Sequence, residues 1–190
     1  MSYNPDVIDS GDCTPIEVMG GMPTRLMFIK DCDVTDVPVQ KVTDDTPADK
    51  CAMTGQFVFK AGKRPIFLDA LPSTVHYSAG IQGEIGSKSF APALEFATKD
   101  KVEADAFAAE CLNRPGYIVL QEFDGRQLMV GNKLLKATID PSFDTGTAMT
   151  DARRYSFAAT VGGAFRSKQY LVTPINFELP EDPANYVPYA

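Results

Sequence analysis

One histidine, His76, is the chain's single imidazole, so a Ser-His-Asp or Cys-His mechanism would have to use it. It stands between Val75 and Tyr77 in a strand-like run, the setting of a structural strand histidine, with no spacing that marks a partner. Six carboxylates, Asp31, Asp33, Asp36, Asp44, Asp45 and Asp49, crowd one segment and carry the charge a calcium site needs. They lack the alternating Asp/Asn ligands, central glycine and distal glutamate of an EF-hand loop, so the segment reads as a solvated acidic loop. Gly80, Gly83 and Gly86 are spaced GxxGxxG, which is neither the dinucleotide GxGxxG nor the phosphate loop GxxxxGK[ST], and Glu84 puts a negative charge where a phosphate would lie. They read as turns or close backbone approaches. Cys13, Cys32, Cys51 and Cys111 stand far apart without a CxxC pair or companion histidines, which suggests neither a zinc site nor a disulfide framework, and reduced thiols in cytoplasm are expected. No catalytic residue, metal ligand or cofactor site is expected, and no cofactor.

The elements around these residues are mostly short strands. Residues 117–123 turn at Asp124-Gly125 into 126–130, turn again at Gly131-Asn132 and continue as 133–139, predicting three antiparallel strands. Upstream, 25–30 (RLMFIK) is an apolar run suited to a buried strand, and 31–50, rich in Asp, Thr and Pro, reads as a loop. Residues 55–61 place Phe57 and Phe59 on one face and 65–70 place Ile66 and Leu68 on another, a hairpin through Gly62-Lys63. Residues 74–78 and 90–98 are further strands, and Pro92 predicts that the second is an edge or bulged strand. Residues 154–161 and 164–172 form another hairpin through Gly162-Gly163.

One helix is predicted over about 100–113. Asp100 is its expected N-cap, Glu103 completes a capping box, and Ala104, Phe107, Ala108 and Cys111 repeat at i, i+3, i+4 and i+7. Asn113-Arg114-Pro115-Gly116 ends it. The fold class is mainly β, an antiparallel sandwich or barrel-like domain over 24–172. An N-terminal arm, 1–23, and a C-terminal arm, 173–190, flank it, both too rich in Pro and Gly to build a core.

At 190 residues, 44% hydrophobic and 23% charged, the chain has the composition of one soluble globular domain, long enough to bury a core without metals or disulfides. No apolar run is long enough to span a bilayer, and 1–11 does not read as a secretory signal. A net charge of −7 argues against tight binding of nucleic acid, because the basic residues are scattered. The nearest cluster, Arg153-Arg154 with Arg166 and Lys168, reads as the solvated faces of a hairpin.

Antiparallel strands, one helix about halfway along, a hairpin after it, a Gly/Ser loop between early strands and arms at both ends give this chain a resemblance to the tail tube proteins of tailed bacteriophages and the related tubes of contractile injection machines. The segment Leu128-Met129-Val130-Gly131-Asn132, followed by 142–150 (SFDTGTAMT) and Asp151-Ala152-Arg153-Arg154-Tyr155 before a β-run, is similar to phage virion proteins of this kind. The likeness spans 24–172. It implies a non-enzymatic virion protein assembled in the host cytoplasm, pairing with itself in rings, hexameric for one domain per chain, stacked around a channel that DNA crosses without tight binding. Other virion proteins would be its neighbours, and no membrane is involved. A head-tail connector, a capsid decoration protein, a baseplate component and a carbohydrate- or ligand-binding β-sandwich are the alternatives, with a hydrolase after them.

Overall fold

The computed structural model describes residues 22–41, 46, 49, 51–146, 153–162, 168–178 and 186–189. It is mainly β, a curled half-barrel sheet with one helix. At its centre β1 (Arg25–Lys30) lies antiparallel to β9 (Gly116–Gln121), with Met27 opposite Val119. The outer edge of β1 takes β6 (Ile66–Asp69), with Met27 opposite Phe67. On the opposite edge of β9 runs β10 (Gln127–Val130), as the Asp124-Gly125 turn predicts.

The predicted third strand is real but placed differently. β11 (Ala137–Asp144) pairs with β9 only at Ala137 opposite Gly116, on the edge that β10 occupies up to Val130 opposite Ile118. β10 and β11 therefore follow one another along one edge of β9, with 131–136 looped out between them. The Asn132 side chain accepts from the backbone N–H groups of Leu134 (2.9 Å) and Leu135 (2.7 Å), and Gly131 starts the loop at φ +95°. β11 then leaves β9 and pairs along its whole length with β12 (Arg154–Val161), which pairs with β8 (Ser89–Lys99), which pairs with β7 (His76–Gln82). Gly116 sits at this corner. A Cβ there would lie 2.4 Å from the carbonyl oxygen of Ile29, so only glycine lets three strands meet.

Beyond β10 the sheet continues through β13 (Tyr170–Leu171) and, in parallel, β4 (Ala52–Thr54) to β3 (Val39–Gln40). β2 (Val34–Asp36) and β5 (Val58–Phe59) make a separate small pair. Two predicted hairpins are thereby corrected. β5 pairs with β2 and β6 with β1, so no hairpin joins them through Gly62-Lys63. β12 has both edges filled by β11 and β8, so the strand after Gly162 pairs elsewhere.

Because β1, β9 and β10 are buried on both faces, alternate residues feed two cores. Leu26, Phe28, Ile118, Leu120, Leu128 and Val130 face the first, with Leu94, Phe96, Ala159 and Phe157 from the long strands. Met27, Ile29, Tyr117, Val119 and Met129 face the second, with Met53, Phe57, Leu171 and Ile175. The helix α1 (Val102–Cys111) closes on the first core, where the Phe107 ring meets Phe28 edge-on at 5.7 Å and Phe157 at 5.3 Å.

The expected cap of α1 is not formed. Lys101, extended at φ −146°, holds the N-cap position without a side-chain bond, and the Asp100 carboxylate instead meets Arg153 at 3.1 Å. The guanidinium across the corner from β12 outcompetes the helix amides for that carboxylate. Pro92 is also corrected, since β8 is an inner strand. The β12 ladder stops at Ala93, so Pro92 is paired on one side only, which suits a residue without an N–H.

The C-terminal arm is the largest correction. Ile175 is 2% exposed in the second core, and its backbone N–H and C=O are both bonded at 2.7 Å by the buried Gln127 amide. Tyr186 meets Phe67 edge-on and donates to the carbonyl of Asn176, and the Tyr189 hydroxyl accepts from the Phe57 N–H at 2.6 Å. A few aromatic anchors fasten residues 173–178 and 186–189 to their own domain, where the density of proline suggested an independent arm. Similarly, 31–41 is structured in part, with a 3-10 turn at Asp31–Asp33, β2, β3, and Val34 and Val37 buried. The N-terminal arm lies outside the described residues up to 21, and Met22 packs on the first core.

Candidate functional site

The residues that could carry chemistry are dispersed or neutralised. His76 is exposed at the start of β7, opposite Glu95 in the ladder, and among the described residues no hydrogen-bonded nucleophile joins it. Cys111 is buried in the first core, and burial pushes its thiol up to about 11, which keeps it protonated and unreactive. Cys32 is exposed beside Asp33, and Cys13 lies outside the described residues.

The acidic segment is held by lysines from four elements. Asp31 accepts from Lys136 at 2.6 Å and from the Tyr117 hydroxyl at 2.7 Å. Asp33, nearly buried, faces Lys30 at 3.3 Å and Lys63 at 3.5 Å, and Lys30 reaches on to Glu110 at 2.9 Å. Asp36 meets Lys133, and Asp49 meets Lys41 at 2.7 Å and the N–H of Thr46. Burial alone would raise the Asp31 and Asp33 carboxyls, but the ammonium groups outweigh it and hold both below the usual range. Lysines occupy the positions that a cation would need, and among the described residues no group of His, Cys, Asp and Glu could hold a metal ion. Asp44 and Asp45 lie outside the described residues.

The glycines shape the β7–β8 hairpin. Gly80 lies in β7, while Gly83 and Gly86 take φ +95° and +97° in the turn. The basic residues make no patch. Arg153 covers Phe143 and Asp100, Arg154 sits on β12, Lys168 faces Glu122 at 3.6 Å, and Arg166 lies outside the described residues.

What stands out instead is a surface. β7 ends the sheet: its second edge has no partner strand among the described residues, and none of its seven residues is buried. The strands β7, β8, β12 and β11 turn one face to the first core and, among the described residues, leave most of the other uncovered, Ala97 excepted, which is 5% exposed where the Thr74 segment lies on it. Across that outer face the registers align Ser78, Ala93, Thr160 and Thr138 in one row, and His76, Glu95, Ala158 and Asp140 in the next. A third row is Ala97, Ser156 and Ser142, and Lys99, Arg154 and Asp144 close one end. The face is lined by small and polar side chains around a shallow hollow of about 250 Å³ among Thr74, Glu95, Ala97, Asp140 and Arg154, and it carries Glu95, Asp140 and Asp144 as carboxylates and Lys99 and Arg154 as cations. Sequence reasoning missed it because the alternation of small residues with Leu94, Phe96, Phe157 and Ala159 looks like any half-exposed strand; only the register collects the small residues into one surface.

Comparison of the chain with protein-family models, with curated proteins and with solved structures finds no match.

Proposed function

We propose that the chain is a non-enzymatic virion building block, a tail tube subunit that self-assembles into stacked rings around a channel for DNA. The observation that carries this reading is the free edge of β7. Among the described residues the side of His76–Ile81 turned away from β8 has no partner strand, with Ile81 exposed on it, and such an edge is a ready template for another strand, which a monomer ordinarily blunts. A ring turns the edge into a joint by continuing one subunit's sheet into the next. The outer face supports the same reading. Its side chains are small, and Glu95, Asp140 and Asp144 outnumber Lys99 and Arg154 on the same rows, a balance that disfavours phosphate as a passage for DNA requires.

Mass by light scattering over a concentration series, with negative-stain imaging of the heavy fraction, tests the proposal. Rings or tubes are expected. A strictly monomeric chain at high concentration would replace it with a self-contained binding module, and discrete dimers with no ring would do the same.

A further inference from the structure

We propose that the tip of the β7–β8 hairpin of one copy seats in a groove beside α1 of the next copy, so that subunits join head to tail along the direction of β8. The proposal deepens the self-assembly reading and rests on it. The tip, residues 82–88, is exposed throughout, and at its end Ile85 is 95% exposed, the most exposed large apolar side chain in the described structure. Nothing among the described residues receives it.

At the other end of β8 lies a groove of about 510 Å³. Its apolar lining comes from Ile66, Leu68, Leu71, Ala104 and Phe107, contributed by β6, the segment after it and one side of α1. Among the described residues β6 pairs with β1 alone, and the Thr98 hydroxyl, also in the lining, is buried without a hydrogen-bond partner. A groove with apolar walls, a free strand edge and an unsatisfied hydroxyl suits a short backbone turn carrying one aliphatic side chain. The charges match as well. Glu84 and Lys88 lie on the tip with Ile85, while Lys99, Lys101, Asp69 and Glu103 line the groove, so the groove holds a counter-charge for each tip charge.

Direction follows from the length of β8. Its 11 residues span roughly 35 Å at about 3.3 Å each, with the tip at one end and Thr98 and Lys99 of the groove at the other. A chain therefore cannot fill its own groove. Two chains joined this way still leave one tip and one groove open, so the contact repeats, and it is heterologous, not a closed two-fold pair.

The test uses the full chain with Ile85→Cys and Ala104→Cys, made singly and together in a parent that carries Cys13→Ser and Cys51→Ser as well as Cys32→Ser, and a short bis-maleimide cross-linker. The double variant is expected to give a ladder of two, three, four and more linked copies, and a mixture of the two single variants only pairs. Ile85→Cys alone linking to itself as efficiently as the mixture would overturn the proposal, because the contact would then be tip to tip. Cross-linking no greater than in that parent, in samples that image as rings or tubes, would also overturn it while leaving the tube reading intact. Ladders from samples that never form rings would keep the contact and remove the tube. Ile85→Asp, an exposed change that leaves the core untouched, is expected to weaken assembly roughly tenfold or more, as removal of a central interface anchor does.

Discussion

The two cores of this molecule are built by different means. The first is enclosed by long, regular strands: β8, β11 and β12 run 11, 8 and 8 residues, and their ladders hold Phe96 stacked on Phe157 at 5.0 Å under α1. The second is enclosed by strands of two or three residues, β2 and β5 among them, and by residues 173–178 and 186–189, which form no helix or strand and are held by individual side-chain bonds. Regular pairing needs no help from the outer face of the sheet, so that face is left plain. Point-by-point fastening ties up many side chains around the second core, where charges pair with one another. A broad regular surface is therefore available on the first half, whereas the second exposes scattered side chains such as Val39, Val58 and Val172.

The sharpest way to break this contrast is to strike each half at its own fastening. Phe157→Ala removes a ring that touches Phe96, Phe107 and Tyr155, and is expected to cost about 3–5 kcal/mol, with one cooperative loss of the whole domain. Denaturant midpoints measure it. Gln127→Leu leaves the N–H and C=O of Ile175 buried and unpaired, at about 2–4 kcal/mol. Its signature differs: hydrogen exchange is expected to quicken over 173–178 and at Tyr189 while β8 and β12 stay protected. Equal quickening in both halves would mean that the two cores are a single cooperative unit.

Acid sharpens the comparison next, since the lysine-held carboxylates cluster around the second half. The Asp31, Asp33 and Glu110 carboxyls bind protons less readily in the folded chain than in the unfolded one. Their contribution is therefore complete above the ordinary carboxylate range and is lost as pH falls through about 4 and below. Melting followed between pH 6 and 3 is expected to show a falling midpoint, and Lys30→Met to flatten that fall. A midpoint indifferent to pH would leave these pairs without a part in stability.

The smallest effect is expected at Asp100. As a helix cap it would be worth about 1 kcal/mol. As the partner of an exposed Arg153 it is worth about 0.5 kcal/mol or less, so Asp100→Ala is expected to shift the denaturation midpoint barely at all.

The sequence disclosed what depends on local pattern. The Asp124-Gly125 hairpin, the buried face of α1 through Phe107, Ala108 and Cys111, and the continuous apolar run of β1 all follow from spacing. It misled where a local signal competes with a distant partner. Asp100 resembles a cap until Arg153 arrives from β12, and the prolines of the C-terminal stretch suggest an arm until Gln127 grips Ile175 from 48 residues away. The hairpins expected at Gly62-Lys63 and Gly162-Gly163 fail for the same reason, because adjacent strands find better edges elsewhere. The candidate surface was illegible for another cause. Small residues on β7, β8, β11 and β12 acquire meaning only when the register lines them up, and register across four strands is not written in any one of them.

The claim on which the rest depends is that the free edge of β7 is where a neighbouring chain pairs. Amide exchange along β7 and along β12, compared between dilute monomer and the assembled fraction, tests it directly. The β7 amides that face away from β8 are expected to exchange freely in the monomer and to become protected by roughly a hundredfold or more on assembly, as amides entering a stable ladder do, while β12, already paired on both edges, stays unchanged. A β7 edge that stays unprotected in the assembled fraction would contradict the claim, as would one already protected in the monomer.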